Sequence, residues 1–450
     1  MQVTETLSEG LRHEFKVVVA ASDLEARLGD RLAELKDRVR LNGFRPGKVP
    51  LEHLRKLYGR TVMAETIEVV VRETNAKIIE DHGYKLATDA KVTLPEDKDE
   101  IESVVAGRAD LSYTVALEIL PPIALADFKL ITLQRPIAEV TDEEVAAALQ
   151  RIADQNRPYQ AKGEGAVARG DRVVLSYEGK INGEPFKGGT AKDIAVDVGS
   201  STFIPGFEDQ LIGMVAGETR TIDLTFPKNY LSDLAGKDAT FEVTISAIET
   251  PGEVTLDDAF AKGLGLDSLD KLKDALKERL RREHAATSRQ KVKRALLDQL
   301  DALHRFAPPP TLAEAEFDNI WRSMTAELES QGRTFADQGT TEEKARADYR
   351  GIAERRVRLG LVLAEIGDKN NIRVTEDELS RAVAERVRQF PGQEQQVWDY
   401  YRKNPHAMAS LRAPIYEEKV VDFLLELAAV TDKAVSREEL FKAEDENPPR

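Results

Sequence analysis

The pattern of apolar residues changes twice along the 450-residue chain, and these changes limit the folds it can adopt. Before about residue 120, valine-rich runs typical of strands alternate with helix-capping segments such as residues 22–25. Between Gly170 and Pro251 short β runs are separated by glycines, and after Leu256 apolar residues recur every three or four positions. The sequence therefore predicts an α+β multidomain protein, with an α+β N-terminal domain, a β-rich middle domain and an all-α C-terminal half.

Prolines and turn residues divide this pattern into segments. Pro121-Pro122 ends the first segment, and Pro158 follows a helix capped by residues 141–144. A chain of this length corresponds to about three domains at roughly 100 to 200 residues each. We therefore expect a first domain at 1–120, a linker at 121–157, a β-rich domain at 158–252, a helical domain at 253–432 and a flexible tail at 433–450.

Composition excludes several classes of protein. The 64 basic and 80 acidic residues give a net charge of −16, which argues against DNA binding and against coating an anionic membrane. There is no cysteine and the six histidines are scattered, so we expect no disulfide and no metal site. The sequence also lacks a long apolar run, an apolar signal-peptide core and a phosphate-binding glycine loop, which favours a cytoplasmic protein without membrane contact, ATP use or cofactor.

The middle segment carries an ordered series of aromatic and glycine motifs. It runs from VVLSYEG at 173–179 through Phe186 to FIPGFE at 203–208 and LIGM at 211–214. In content and spacing the series resembles the FKBP-type peptidyl-prolyl isomerases. The resemblance implies a proline-binding pocket in which the Ile204 backbone offers a hydrogen bond to the substrate. Ile194 is a weaker addition to this pocket. The implied catalytic residues that line it are Tyr177, Phe186, Phe203, Ile204, Phe207 and Phe241.

These residue types suit the implied chemistry. Rotation about a peptide bond meets a barrier of roughly 18 to 20 kcal/mol. Twisting the amide removes its resonance and reduces its polarity, so an apolar pocket with little water favours the twisted state without any nucleophile. Isolated aromatic residues at strand spacing are usually core residues, and only the ordered set favours a pocket.

The match to the isomerases departs at several positions. Lys187 follows Phe186 where many FKBPs have aspartate, and Phe207 replaces a tryptophan often found on the pocket floor. The flap at 229–232 is also short. These differences bear on substrate preference and macrolide affinity rather than on the existence of the pocket.

A second motif, GFRPGKVP, stands between two predicted helices of the first domain. It combines an aromatic residue and two cations with stiff prolines and permissive glycines, a composition that loses little entropy on docking. Residues 31–60 carry nine Lys or Arg against three acidic residues, a net charge of +6. The motif resembles the ribosome-docking loop of the trigger factor family, which implies ribosome binding by Gly43, Phe44, Arg45, Pro46, Gly47, Lys48, Val49 and Pro50.

Together the two resemblances imply an ATP-independent chaperone with a built-in isomerase domain. Its implied partners are the large ribosomal subunit near the exit tunnel, through protein and rRNA contacts, and nascent or unfolded polypeptides. A weak homodimer away from the ribosome and a cytoplasmic, partly ribosome-bound location are implied in the same way. The helical half matches the family only in length and helical character.

Two other functions remain open on the sequence alone. The flanking halves could merely position an isomerase on folded partners, or the basic loop could belong to an rRNA-binding assembly protein. A basic patch by itself is more often a solvated helical surface, and the loop motif is what favours docking. Deletion of residues 151–252 separates the first two functions, because a chaperone would still suppress aggregation.

Overall fold

The structure is a computed structural model, and it describes residues 1–39, 41, 44, 48–227 and 234–442. Across these residues no helix is both long and apolar enough to span a bilayer. The predicted fold class is confirmed, because a mixed N-terminal domain, a β-rich domain and a helical C-terminal part follow one another along the chain.

The first domain packs a helical pair on an antiparallel sheet with strand order β1-β2-β4-β3. Alternate residues of β2, including Phe15 and Val17, are buried against α1, whose Leu24 and Leu28 are spaced by four. The predicted capping box at residues 22–25 is wrong, since Ala20 is the N-cap and Asp110 accepts the Ala21 N–H at 2.8 Å. The elements are β1 Gln2–Glu9, β2 Arg12–Val19, α1 Ala21–Arg38, α2 Leu51–His82, β3 Lys91–Thr93, α3 Lys98–Val105 and β4 Leu111–Glu118.

The segment expected to be a linker, 121–157, contributes to the core of the helical part. Its strand β5 (Thr132–Ile137) pairs in parallel with β11 (Ala429–Ala434) near the C-terminus, and Ile131 and Leu133 are buried among C-terminal helices. The helix α4 (Asp142–Gln155) follows, and both bonds of its predicted capping box are present. Residues far apart in sequence therefore build one hydrophobic core.

The middle domain is an antiparallel sheet with strand order β6-β10-β7-β8. Strand β9 also pairs with the long strand β10. One short helix, α5, packs on the sheet, and Phe207 and Leu211 of this helix are fully buried. The elements are β6 Tyr159–Ala161, β7 Arg172–Ile181, β8 Glu184–Asp197, α5 Phe207–Leu211, β9 Thr219–Thr225 and β10 Asp238–Pro251.

The C-terminal part is built from helices, with β11 as the strand already described. The predicted tail is wrong for residues 433–442, because they complete β11 and form a helix whose Leu440 is fully buried. Residues 443–450 lie outside the described residues. The elements are α6 Asp258–Gly263, α7 Leu269–Leu303, α8 Pro310–Ser330, α9 Glu342–Lys369, α10 Glu376–Arg388, α11 Glu394–Lys403, α12 Pro405–Leu427 and α13 Arg437–Phe441.

Two buried polar contacts hold the first domain and the linker on the helical part. Glu118, at the end of β4, accepts the Thr311 N–H at 3.1 Å and so caps the first turn of α8. His304 accepts the Ala126 N–H at 3.2 Å through Nε2 and bonds the Leu300 carbonyl through Nδ1 at 2.8 Å. Both side chains are more than nine-tenths buried, so these contacts are shielded from water.

Candidate active site and docking loop

The structure brings all six predicted pocket residues of the middle domain into one cluster. Tyr177 meets the rings of Phe207 and Phe241 edge-on at 5.9 and 5.7 Å, and Phe203 stacks on Phe207 at 5.3 Å. Phe186 contacts Phe241 edge-on at 6.1 Å. These distances are those of favourable aromatic pairs, so the rings form one apolar surface.

The cluster has a buried floor and accessible walls. Phe207 and Phe241 are 1% and 3% exposed, whereas Tyr177, Phe186 and Phe203 are half-buried. Ile204 is half-buried as well, and it packs against the same core. The half-buried side chains therefore form the accessible side of the cluster, and the two buried phenylalanines support them from below.

Two glycines make the close packing of the rings possible. A Cβ at Gly179 would lie 2.6 Å from Phe241 Cε1 and 2.9 Å from Phe186 Cε1. A Cβ at Gly189 would lie 2.9 Å from Phe186 Cε1 and 3.0 Å from the Gly179 carbonyl oxygen. Any larger residue would push Phe186 off the floor, so the glycines of the sequence motif serve a close approach.

The loop that presents Phe203 and Ile204 is fixed by the buried carboxylate of Glu208. Glu208 accepts backbone N–H bonds from Gly199 at 2.8 Å, Ser201 at 2.9 Å and Phe203 at 3.1 Å. It also accepts bonds from Thr202 N–H and the Ser200 hydroxyl at 2.9 and 3.2 Å. Burial raises the pKa of this carboxyl, but the backbone donors outweigh burial and hold the pKa below its ordinary value.

One aromatic residue of the pocket was missed by the sequence reasoning. Phe226 is 3% exposed and meets the ring of Phe186 edge-on at 5.8 Å. Its signal was its place directly after the apolar alternation of β9 and before Pro227. Ile194 packs at the margin of the cluster, and the flap at 229–232 lies outside the described residues.

The docking motif is described in part. Phe44 is 36% exposed, and its ring lies 5.2 Å from that of His53 in the first turn of α2. Lys48 and Pro50 are exposed, and Val49 is buried in the domain core. The motif therefore presents an aromatic ring and a cation while one valine anchors it. Four predicted residues of the motif lie outside the described residues: Gly43, Arg45, Pro46 and Gly47.

A further aromatic surface lies on the helical part, where no sequence motif marks it. Helix α11 has no buried residue, and Trp398 and Tyr400 are 39% and 56% exposed. Phe390, after α10, is 42% exposed, and the guanidinium of Arg386 lies 5.8 Å from its ring. We call residues 376–403 the α10–α11 hairpin.

Comparison with known proteins agrees with this geometry. The model of the bacterial trigger factor protein matches residues 1–152, that of its C-terminus matches 268–426, and that of the FKBP-type peptidyl-prolyl cis-trans isomerases matches 163–246. The isomerase match covers the aromatic cluster, so the middle domain is an FKBP-type isomerase domain.

Relatives match over the whole length. A trigger factor of Azorhizobium caulinodans is 62% identical over 447 residues, and one of Bradyrhizobium diazoefficiens is 59% identical over 447 residues, with 99% of each chain covered. A solved structure from work on promiscuous substrate recognition by the trigger factor chaperone has a TM-score of 0.56 at 19% identity, covering 95% of this chain and 99% of that one. That likeness concerns the fold, whereas the full-length identity establishes descent: the chain belongs to the trigger factor family.

Proposed function

We propose that Tyr177, Phe186, Phe203 and Ile204 form the walls that contact a substrate proline, over a floor of Phe207 and Phe241. Membership of the trigger factor family makes the protein a ribosome-associated chaperone that also isomerises peptidyl-prolyl bonds. The proposal concerns which residues carry out each activity. It rests above all on the convergence of half-buried aromatic walls over a buried aromatic floor.

The chemistry follows from polarity and shape. A planar X-Pro amide is polar and well hydrated, and the twisted amide is less so. Aromatic walls without charges exclude water, which favours the twisted form over the planar one. The Ile204 N–H has no acceptor within the described part of the chain, so it is available to a substrate carbonyl. Ordered binding of the flanking backbone would leave the prolyl bond free to rotate.

The GFRPGKVP motif is proposed to dock on the large ribosomal subunit near the exit tunnel, through protein and rRNA. Phe44 presents a half-exposed ring, and the neighbouring cations, Arg45 and Lys48, suit phosphate or carboxylate oxygens. The surrounding residues 31–60 carry a net charge of +6 inside a chain of net charge −16. Docking is therefore expected to weaken as salt rises.

The chaperone surface for nascent or unfolded chains is proposed to include the α10–α11 hairpin. Its aromatic rings Phe390, Trp398 and Tyr400 are all exposed to solvent. Exposed apolar groups that lie together on a surface are typical of interaction sites. A cytoplasmic location shared between ribosome-bound and free protein, and a weak homodimer in the free state, complete the proposal. Domain limits near residues 120, 158 and 252 are proposed as the functional boundaries.

Cosedimentation with ribosomes tests the docking assignment. Phe44→Ala and Lys48→Glu are each expected to lower ribosome affinity at least several-fold, since they remove the ring or reverse the charge of the motif. Lys77→Glu is the matched control, because it reverses an exposed lysine of α2 that lies about 40 Å along the helix from Pro50 at 1.5 Å per residue. Equal loss in the control, or full binding by both loop variants, would refute the assignment.

A further inference from the structure

A concave site of about 330 Å³ lies beside the docking motif, between α2, α1 and the turn after α3. Arg55 and Arg60 of α2 line it, and Arg108 faces it from the turn. We call this site the arginine cleft. At 1.5 Å per residue, Arg55 and Arg60 are about 8 and 15 Å along the helix from Pro50, so the cleft lies near the motif along the axis of α2.

The guanidinium groups of the cleft keep free donors. Arg55 bonds Glu25 at 2.7 Å and Arg60 bonds Glu102 at 3.0 Å, each through one nitrogen of a group that carries five N–H donors. The two arginine side chains are 54% and 77% exposed. The side chain of Arg108 has no hydrogen-bond or ion-pair partner among the residues that the structure describes.

Two glycines shape the cleft. Gly59 lines it and is buried, and a Cβ there would already lie 3.2 Å from Arg55 Cγ. Gly107, with φ +72°, lies over Glu25, and a Cβ at that position would overlap the Glu25 carboxylate. Gly107 therefore leaves room for the Glu25 carboxylate, which pairs with Arg55 at 2.7 Å beside the cleft.

We propose that the arginine cleft binds a backbone phosphate of ribosomal RNA and so forms a second contact beside the docking motif. This inference rests on the proposed ribosome docking. Planar guanidinium groups match phosphate oxygens in bidentate geometry, and three of them converge on one small concavity. The carboxylates of Glu25 and Glu102 orient two of the arginines and leave Arg108 as the free anchor for the anion.

An acidic patch of a ribosomal protein is the competing occupant. It would demand several carboxylates at the cleft, where Glu25 and Glu102 already contribute negative charge. A single phosphodiester carries one negative charge shared by two non-bridging oxygens, so it can accept from two guanidinium groups while adding less charge beside Glu25 and Glu102 than several carboxylates would. The chemistry of the cleft therefore favours RNA.

The salt dependence of ribosome binding by the full-length protein tests this assignment. Each lost phosphate contact lowers the slope of log affinity against log salt concentration by about 0.7 to 0.9. Because the cleft holds one phosphate, the Arg108→Gln, Arg60→Gln double variant is expected to lower the slope by about 0.7 to 0.9 in total, and each single variant by part of that amount. Arg27→Gln is the control, because it neutralises an exposed arginine of the same domain that pairs with Glu73 outside the cleft.

A photo-cross-linker at position 106, which lines the cleft and is exposed, identifies the occupant while Arg108 stays in place. Cross-links to RNA together with the reduced slopes support the proposal, and exclusive cross-links to ribosomal protein would overturn it. Unchanged slopes in Arg108→Gln and Arg60→Gln, or an equal change in Arg27→Gln, would also overturn it. Failure of the docking motif itself is recognised separately, because Phe44→Ala would then bind ribosomes as wild type does. Unchanged thermal unfolding in every variant shows that each one folds.

Discussion

The isomerase pocket and the α10–α11 hairpin both gather aromatic side chains, but in opposite environments. In the pocket the rings of Tyr177, Phe203 and Phe207 contact one another over a floor that is almost fully buried. In the hairpin, Trp398 and Tyr400 are exposed on a helix that has no fully buried residue. We therefore propose that the surroundings of the rings divide their roles, with the enclosed cluster shaping the reaction site and the exposed rings capturing apolar segments.

The two regions also differ in what holds them. The positions of the pocket side chains are fixed by the close packing at Gly179 and Gly189 and by the five hydrogen bonds that Glu208 accepts. Both helices of the hairpin contact α12, and Glu378 of α10 pairs with Lys419 of α12 at 2.8 Å. The pocket geometry suits one shape for one bond rotation. The exposed rings of the hairpin are proposed to accommodate varied client sequences.

The largest effect is expected from Phe203→Ala. Loss of one aromatic wall removes about 1.5 to 3 kcal/mol of apolar contact, which corresponds to roughly a 10- to 100-fold fall in kcat/KM for a proline tetrapeptide. The domain is expected to stay folded because Phe203 is half-buried. If this variant turned over substrate as fast as wild type, the pocket would not be the site of isomerisation that sets it apart from the hairpin.

Phe207→Ala sharpens the division between floor and walls. The side chain is 1% exposed, so its truncation is expected to destabilise the domain by about 3 to 5 kcal/mol. Lost activity in this variant would then reflect unfolding, which a denaturant titration detects as a lower midpoint. A midpoint equal to wild type would show that Phe207 is not part of the supporting floor.

Glu208→Gln tests how far pocket geometry depends on one carboxylate. The amide cannot accept all five bonds, so we expect about 1 to 3 kcal/mol less stability and roughly tenfold lower kcat/KM. Glu218→Gln is the matched control in the same domain, because Glu218 accepts the Val215 N–H at 2.9 Å but is more exposed. Equal effects in the two variants would contradict a special role for Glu208.

Wild type and Glu208→Gln are also expected to differ in their pH dependence. The pKa of Glu208 is depressed in the folded domain, so its stabilising contribution is complete above the unfolded value of about 4.3 and is lost as pH falls through the folded value. The difference in unfolding free energy between the two proteins is therefore expected to be constant above about pH 4.3 and to shrink below it. A difference that grows on acidification would refute this account.

A smaller effect is expected from the exposed aromatic rings. Trp398→Ser with Tyr400→Ser is expected to weaken suppression of aggregation of a denatured protein by roughly threefold, since other apolar surfaces of a chaperone also contribute. Light scattering measures this effect. Thermal unfolding is expected to remain unchanged, because neither side chain is buried. Full suppression by the double variant would exclude the hairpin as a client surface.

The smallest effect concerns the attachment of the hairpin. The side-chain hydrogen bond from Lys419, helped by the Thr375 backbone, lowers the pKa of Glu378 to about 2. The pair therefore stabilises the folded state above about pH 4.3 and loses this contribution as pH falls toward 2. We expect Glu378→Gln to change thermal stability at pH 7 only slightly, because the carboxylate is partly solvated. A large loss at pH 7 would show that this pair carries more of the attachment.

Much of the isomerase site was predictable from sequence because its residues lie in short motifs with fixed spacing. Tyr177, Phe203 and Phe207 are in contact as the family resemblance implied. Phe226 escaped because it stands alone beside a proline, and its contact with Phe186 depends on sheet pairing. The role of Glu208 was invisible for a related reason, since its partners are backbone groups of a loop.

The fold was predictable as a class but not in its long-range pairings. Apolar periodicity located the helices and strands, whereas the parallel pairing of Thr132–Ile137 with Ala429–Ala434 joins segments about 300 residues apart. The prediction of a flexible tail over 433–442 was wrong for the same reason. Leu440 is buried through the packing of α13 on α7, which is far away in the sequence. The α10–α11 hairpin likewise carries no motif, and its exposure is a property of tertiary packing.

The central claim is that enclosed and exposed aromatic side chains divide isomerisation and client capture between two regions. Measuring both activities on Phe203→Ala and on the Trp398→Ser, Tyr400→Ser double variant tests it directly. The account predicts that the first protein loses most of its prolyl isomerase activity and keeps aggregation suppression, and that the second keeps isomerase activity and suppresses aggregation roughly threefold less well. Parallel loss of both activities in either protein would contradict the account.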